Sequence, residues 1–188
     1  MRKILPIALS LATLLGGCAS DAETSSDAMK AVFAAGLKDY DSGNFEAAYK
    51  KWSSIDDVDL AAMRNVGVML RTGKGVPKDP GAAEAMLERA AEAGLFTAQA
   101  DLGEMLLNGE AGPPDPKAAA PWLALAAAAG HPIAQFELGQ LYEQGSAIPK
   151  NLEAARTLYT AAAAAGVADA AKRLAEMPAP DSPPAIRH

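Results

Sequence analysis

Residues 102–130 read LGEMLLNGEAGPPDPKAAAPWLALAAAAG, and their pattern occurs three times in the chain. Val66-Gly67 stands 36 residues before Leu102-Gly103, and Leu138-Gly139 stands 36 after it. The same step relates Gly73, Gly109 and Gly145, then Pro77, Pro113 and Pro149, then Asp79, Asp115 and Asn151. It also relates Gly94, Gly130 and Gly166, and joins Ala62, Ala98, Ala134 and Ala170. A fixed period of this length, with Gly and Pro at fixed offsets, marks a solenoid in which neighbouring units supply each other's core. Ala-rich composition with 5% aromatics makes the units helical. The fold class is therefore all-α, an α/α solenoid of antiparallel helix pairs.

Within each unit the pattern predicts a helix A over 60–72, 97–108 and 133–144, and a helix B over 80–93, 116–129 and 152–165. Gly73, Gly109 and Gly145 suit left-handed caps after helix A. Asp79, Asp115 and Asn151 suit N-caps of helix B, with Pro80 and Pro116 at the first helical position, where no N–H is needed. Pro121 falls inside helix B of the middle unit and should kink or locally unwind it. A glycine inside a helix costs about 1 kcal/mol relative to alanine. Gly67, Gly103 and Gly139 therefore need a reason, and close approach of helix B supplies one. Ala83, Ala119 and Ala155 present equally small surfaces. Met86, Trp122 and Leu158, with Leu87, Leu123 and Tyr159, are expected to fill the gaps between units.

The regular units run over about 59–94, 95–130 and 131–166. An imperfect opening unit over 28–58 precedes them, with a helix over 28–42 capped by Asp27 or Ser26 and a second over 45–54. Ile55-Asp56-Asp57 is expected to cap the helix that follows. A closing helix over 167–177 completes a solenoid of 28–177. The Pro-rich stretch from Pro178 to residue 188 reads as a disordered tail.

The first residues belong to a different logic. Met1-Arg2-Lys3 is followed by an apolar run of 12 from Ile4 to Leu15, too short for a stable transmembrane helix. It ends in Leu15-Gly16-Gly17-Cys18, which resembles a bacterial lipobox. The resemblance implies a signal peptide over 1–17, lipidation of Cys18, and a flexible tether over 18–27. Ala19 after the cysteine implies outer-membrane delivery, with the protein facing the periplasm. A chain's only cysteine cannot make an intramolecular disulfide. Acyl chains contribute about 0.8 kcal/mol per buried CH₂, enough with multiple acylation to hold a protein on a bilayer. Removing Arg2 and Lys3 leaves 15 Lys+Arg against 23 Asp+Glu, a net charge of −8. Such a balance disfavours nucleic acid and anionic lipid surfaces as partners.

The set Ala98, Leu102-Gly103, Gly109, Pro113, Asp115, Ala119, Trp122, Ala126-Ala127 and Gly130 is similar to the Sel-one-like repeat (SLR), a relative of the tetratricopeptide repeat. Gly43-Asn44-Phe45-Glu46-Ala47-Ala48 looks like the partial unit that opens bacterial members. The resemblance covers about 28–177 and implies an adaptor or scaffold. A cysteine-rich branch of the family has paired cysteines in each repeat; this chain has none after Cys18, so that branch's penicillin affinity is not carried over.

Signs of chemistry are thin. Thr72-Gly73-Lys74-Gly75 lacks the strand and spacing of a phosphate loop. His131 begins a helix and His188 lies in the tail, which is not zinc-site spacing. Glu84/Glu88 and Asp56/Asp57 read as a solvated face and a helix end. The sequence therefore points to no enzyme, cofactor or metal. In tetratricopeptide-like stacks the A helices line the concave side. Alignment on Leu-Gly places Arg64, Val68 and Arg71 there, then Ala100, Glu104, Leu107 and Asn108, then Phe136, Gln140, Glu143 and Gln144, with Lys172 and Glu176 continuing the row. The expectation is a groove running from basic to acidic through exposed Leu107 and Phe136, suited to an extended peptide or partner helix. The function implied is a lipid-anchored envelope scaffold binding a protein or peptide; the alternative is a lipoprotein that binds or modifies cell-wall peptidoglycan.

Overall fold

The computed structural model describes residues 17–178, with side chains from residue 25 onward. Among them, nine helices follow one another without a strand: α1 Gly17–Asp41, α2 Phe45–Trp52, α3 Leu60–Thr72, α4 Pro80–Glu92, α5 Phe96–Asn108, α6 Pro116–Ala128, α7 Pro132–Gln144, α8 Leu152–Ala164 and α9 Ala168–Glu176. Each helix packs on the next, so pairs α1/α2, α3/α4, α5/α6 and α7/α8 form a stack that α9 closes against α8. The all-α solenoid and the spans of its A and B helices follow the periodicity closely. The expected signal segment and the Pro-rich tail beyond residue 178 lie outside the described residues, as does the side chain of Cys18.

The opening helix differs from expectation. α1 begins at Gly17, so the 18–27 segment expected as a tether is helical, and neither Ser26 nor Asp27 starts the helix. No proline occurs between 17 and 41, and Ala19, Ala22, Glu23 and Ala28 are tolerant of helix. Extending a helix costs much less than starting one, so the turn seated on α2 propagates backward. Asp27 pairs instead with Lys30 one turn on, at 3.1 Å. Asp59, not the Ile55-Asp56-Asp57 run, caps α3: its Oδ1 accepts from Ala62 N at 2.8 Å.

The loops repeat in detail. Asp79, Asp115 and Asn151 accept from the N–H groups of Ala82, Ala118 and Ala154 at 3.0, 2.9 and 3.0 Å. Their own N–H groups donate back to the carbonyls of Leu70, Leu106 and Tyr142 at 3.0, 2.8 and 2.9 Å. Each loop thereby folds onto the helix it leaves. Gly109 ends α5 in the left-handed region at φ 65°, and a Cβ there would overlap Pro114. The cap requires glycine on both counts.

Helix–helix contact explains the internal glycines. An added Cβ at Gly103 would lie 2.6 Å from Leu123 Cδ2, and one at Gly139 would lie 2.7 Å from Tyr159 Cε1. At Gly67 the nearest atom is Leu87 Cγ at 3.0 Å. Leu87, Leu123 and Tyr159 are wholly buried. They fill the space over the glycine of their own unit rather than the gaps between units. Trp122 and Leu158 do fill those gaps: each is half-buried against a core cluster that includes residues of the preceding unit. The opening pair uses the same device at Gly36, where a Cβ would overlap the Trp52 indole.

Pro121 does not break α6, which runs continuously from Pro116 to Ala128. The ring lies on the exposed side of the helix. Only the Lys117 carbonyl loses its helical donor, and water can replace a donor on a solvated face. Gln99 and Gln135, also 36 residues apart, tie successive units. Their side-chain amides donate to Ala91 O at 3.1 Å and Ala127 O at 3.2 Å, answering carbonyls in the last turn of the preceding B helix.

Candidate functional site

The A helices α3, α5, α7 and α9 form the inner layer. α5 packs directly on α7 across the intervening α6, and side chains of α3 reach α5. The residues expected to face a partner lie along this layer, but Arg64, Arg71, Glu104 and Glu143 are answered within the chain.

Arg64 Nε donates to Asp101 Oδ2 at 2.5 Å, joining the first unit to the second. Arg71 is held more tightly. Its Nη1 donates to Glu104 Oε2 at 2.9 Å, while Nε and Nη2 form a two-pronged pair with Glu110 at 2.8 and 2.5 Å. Only 15% of the Arg71 side chain is exposed. The Glu110 hydrogen bonds outweigh its burial and stabilise the guanidinium charge further, while Arg71 holds the Glu110 carboxyl below the usual range. The expected basic end of the groove is therefore neutralised by acids of the next unit. Planar guanidinium suits this two-pronged geometry where a lysine would not.

At the other end Glu143 accepts from Tyr159 Oη at 2.7 Å, and Arg173 Nε stands 3.9 Å away. Burial and the Glu143 bond together push the Tyr159 phenol well above its ordinary range. Leu107 and Phe136, expected as exposed anchors, are half-buried. Leu107 packs on the second core cluster, and the Phe136 ring lies 5.7 Å from that of Tyr159. Ala100 is buried and Val68 packs on the first cluster. Apolar side chains at these register positions complete the seam between neighbouring units. Gln140 remains accessible, lining a shallow cleft of 280 Å³ with Phe136, Asp169, Lys172, Arg173 and Glu176. Asn108, Gln144, Lys172 and Glu176 are exposed.

Several residues of this layer escaped the sequence reading. Asp101 and Glu110 are the partners that neutralise the arginines, and 37 and 39 residues separate them from Arg64 and Arg71. A step near one repeat length was the available signal. Phe96 and Ile133 are the exposed large apolar side chains at the starts of α5 and α7, at 41% and 46% exposure. Glu137 on α7 is the least expected. Its Oε2 is buried and no donor among the described residues reaches it. Burial first, then the Glu104 charge, push its carboxyl up to about 7, with Arg71 opposing.

The other signals resolve structurally. His131 is the N-cap of α7, its Nδ1 accepting from Ala134 N at 3.3 Å. Burial is the main cause that pulls its pKa down, consistent with an acceptor nitrogen. In the Thr72–Gly75 loop, Lys74 donates to Tyr40 Oη at 3.1 Å and stands 5.4 and 5.5 Å from the Tyr40 and Phe45 ring centres. Lys74 thereby fastens the loop to the opening pair. Among the described residues no group of three His, Cys, Asp or Glu side chains is placed to hold a metal ion, and no helix is long and apolar enough to cross a membrane.

Comparison with known proteins bears on the same region. The model of the Sel1 repeat matches residues 60–95, 97–131 and 132–167. The fold is similar to the crystal structure of a Sel1 repeat protein from Oxalobacter formigenes, with 30% identity, a TM-score of 0.70 and coverage of 76% of this chain and 58% of that one. It is also similar to a protective antigen present in uropathogenic Escherichia coli strains and displaying an SLR fold, with 28% identity, a TM-score of 0.73 and coverage of 79% and 33%. The Helicobacter pylori cysteine rich protein B shares the fold alone, at 19% identity and a TM-score of 0.54 over 67% of this chain and 96% of that one. The chain thus spans just over half of the first relative and a third of the second. No curated protein matches it in sequence.

Proposed function

The chain belongs to the Sel1 repeat family, and from that premise we propose that it is a non-catalytic scaffold that binds a protein or peptide on the inner A-helix face. Proteins of this family are generally protein-interaction scaffolds, and three consecutive units are the observation that carries the reading. The accessible part of the face lies toward its C-terminal end, around Gln140, Lys172 and Glu176. There an extended segment can meet both charged groups and the Phe136 edge. The Arg64 and Arg71 positions serve this surface by holding α3 against α5, and Arg64, Arg71, Glu104, Leu107, Phe136 and Glu143 set its shape more than they offer free groups.

The same proposal places the protein in a bacterial cell envelope, on a lipid at Cys18 and facing the periplasm. The Leu15-Gly16-Gly17-Cys18 sequence supports it, together with the short apolar run before it. Metabolic labelling with palmitate tests the anchor: label is expected in the wild type and absent in Cys18→Ser, and label retained by the variant would refute it. For the binding face, affinity isolation with wild type and a Gln140→Ala/Lys172→Ala/Glu176→Ala variant is expected to lose a partner. Identical partner sets, with the variant as stable as wild type, would overturn the assignment. Co-sedimentation with purified peptidoglycan separates this reading from direct cell-wall binding.

A further inference from the structure

Glu137 is carried by α7, which packs on α5 of the second unit as well as on its sequence neighbours. Its Oε2 is shut off from solvent without a hydrogen-bond donor, a costly situation for an ionised carboxylate and a tolerable one for a carboxylic acid. The charged groups acting on it are few. Glu104 faces it from α5 and Arg71 from α3. On the helices packed against α7, Asp101 is paired with Arg64, Tyr159 with Glu143 and Arg156 with the Pro178 carbonyl, while Lys117 and Glu153 stand exposed. Arg71, the cation that acts on it among the described residues, is already shared between Glu104 and Glu110. A charge on Glu137 would have to draw Arg71 away from those partners or repel Glu104 across the seam.

We propose that a proton on Glu137 holds the inner contact of α5 with α7 closed, and that losing it loosens the seam between the second and third units. The carboxyl, pushed up to about 7, is protonated in the folded chain between pH 5 and 6, where the unfolded chain has already released its proton. Folding then takes up a proton, so stability falls as pH rises from the unfolded carboxylate range through about 7. The device acts near neutral pH on the layer proposed to bind a partner, and it does not depend on that proposal.

Urea unfolding of the protein between pH 5.5 and 8.5, combined with amide hydrogen exchange, tests it. For the wild type the unfolding equilibrium constant is expected to rise about ten-fold or more across this range, relative to Glu137→Gln under the same conditions. Exchange should quicken first in α5 and α7. Glu104→Gln should move the wild-type transition to lower pH without abolishing it, which keeps the test open if the Glu137 variant folds poorly. Equal pH slopes in wild type and Glu137→Gln, or no shift in Glu104→Gln, would overturn the assignment. A slope confined to wild type with exchange unchanged in α5 and α7 would overturn the opening of the seam.

Discussion

At the scale of single residues, the chain uses absence as much as presence. Gly103 provides room for the Leu123 side chain, which is wholly buried and cannot swing aside. Gly103→Ala gains about 1 kcal/mol of helix propensity but overpacks the contact at a cost of about 1–3 kcal/mol. The net expectation is a loss of up to about 2 kcal/mol, read by urea unfolding. In the Gly103→Ala/Leu123→Ala double variant the two losses should not add, because the second change removes the clash. Strict additivity would place the explanation for the helical glycines elsewhere. These positions were legible in the sequence because a cost repeated at one spacing needs a repeated cause. Glu137 was not legible: its burial depends on how far α5 lies from α7, which no local pattern records.

At the scale of elements, helix boundaries could be read wherever a chemical signal existed. Asp79, Asp115 and Asn151 cap as expected, and the glycines end the A helices. Where tertiary contact overrides propensity, the boundaries could not be read. α1 extends ten residues or more beyond its expected start, because nothing in 17–27 stops a helix already seated on α2. α6 tolerates Pro121 because the ring faces outward. Proline in a helix interior costs about 3 kcal/mol relative to alanine, so Pro121→Ala should raise stability, by about 1–3 kcal/mol given a solvated Lys117 carbonyl. A thermal melt checks this, and a lowered midpoint would show that the ring makes packing contacts the helix depends on.

At the scale of the whole molecule, repetition and departure from repetition do different work. The repeated residues set how closely helices approach and how each loop returns. The residues of the A-helix layer could be picked out from alignment alone. Its electrostatics could not, because Arg64 and Arg71 are answered by Asp101 and Glu110, whose approach depends on the turn between units. What remains accessible is the stretch from Asn108 through Gln140 to Lys172. The most direct test of an inner-face scaffold is photo-crosslinking in cells, with a photoreactive residue at Asn108, Gln140 or Lys172 and, for comparison, at Glu88, Lys117 or Thr160 on exposed B-helix positions. Crosslinks to one common partner from the first set and not from the second are the predicted result. Crosslinks to a common partner from the B-helix positions alone would contradict it.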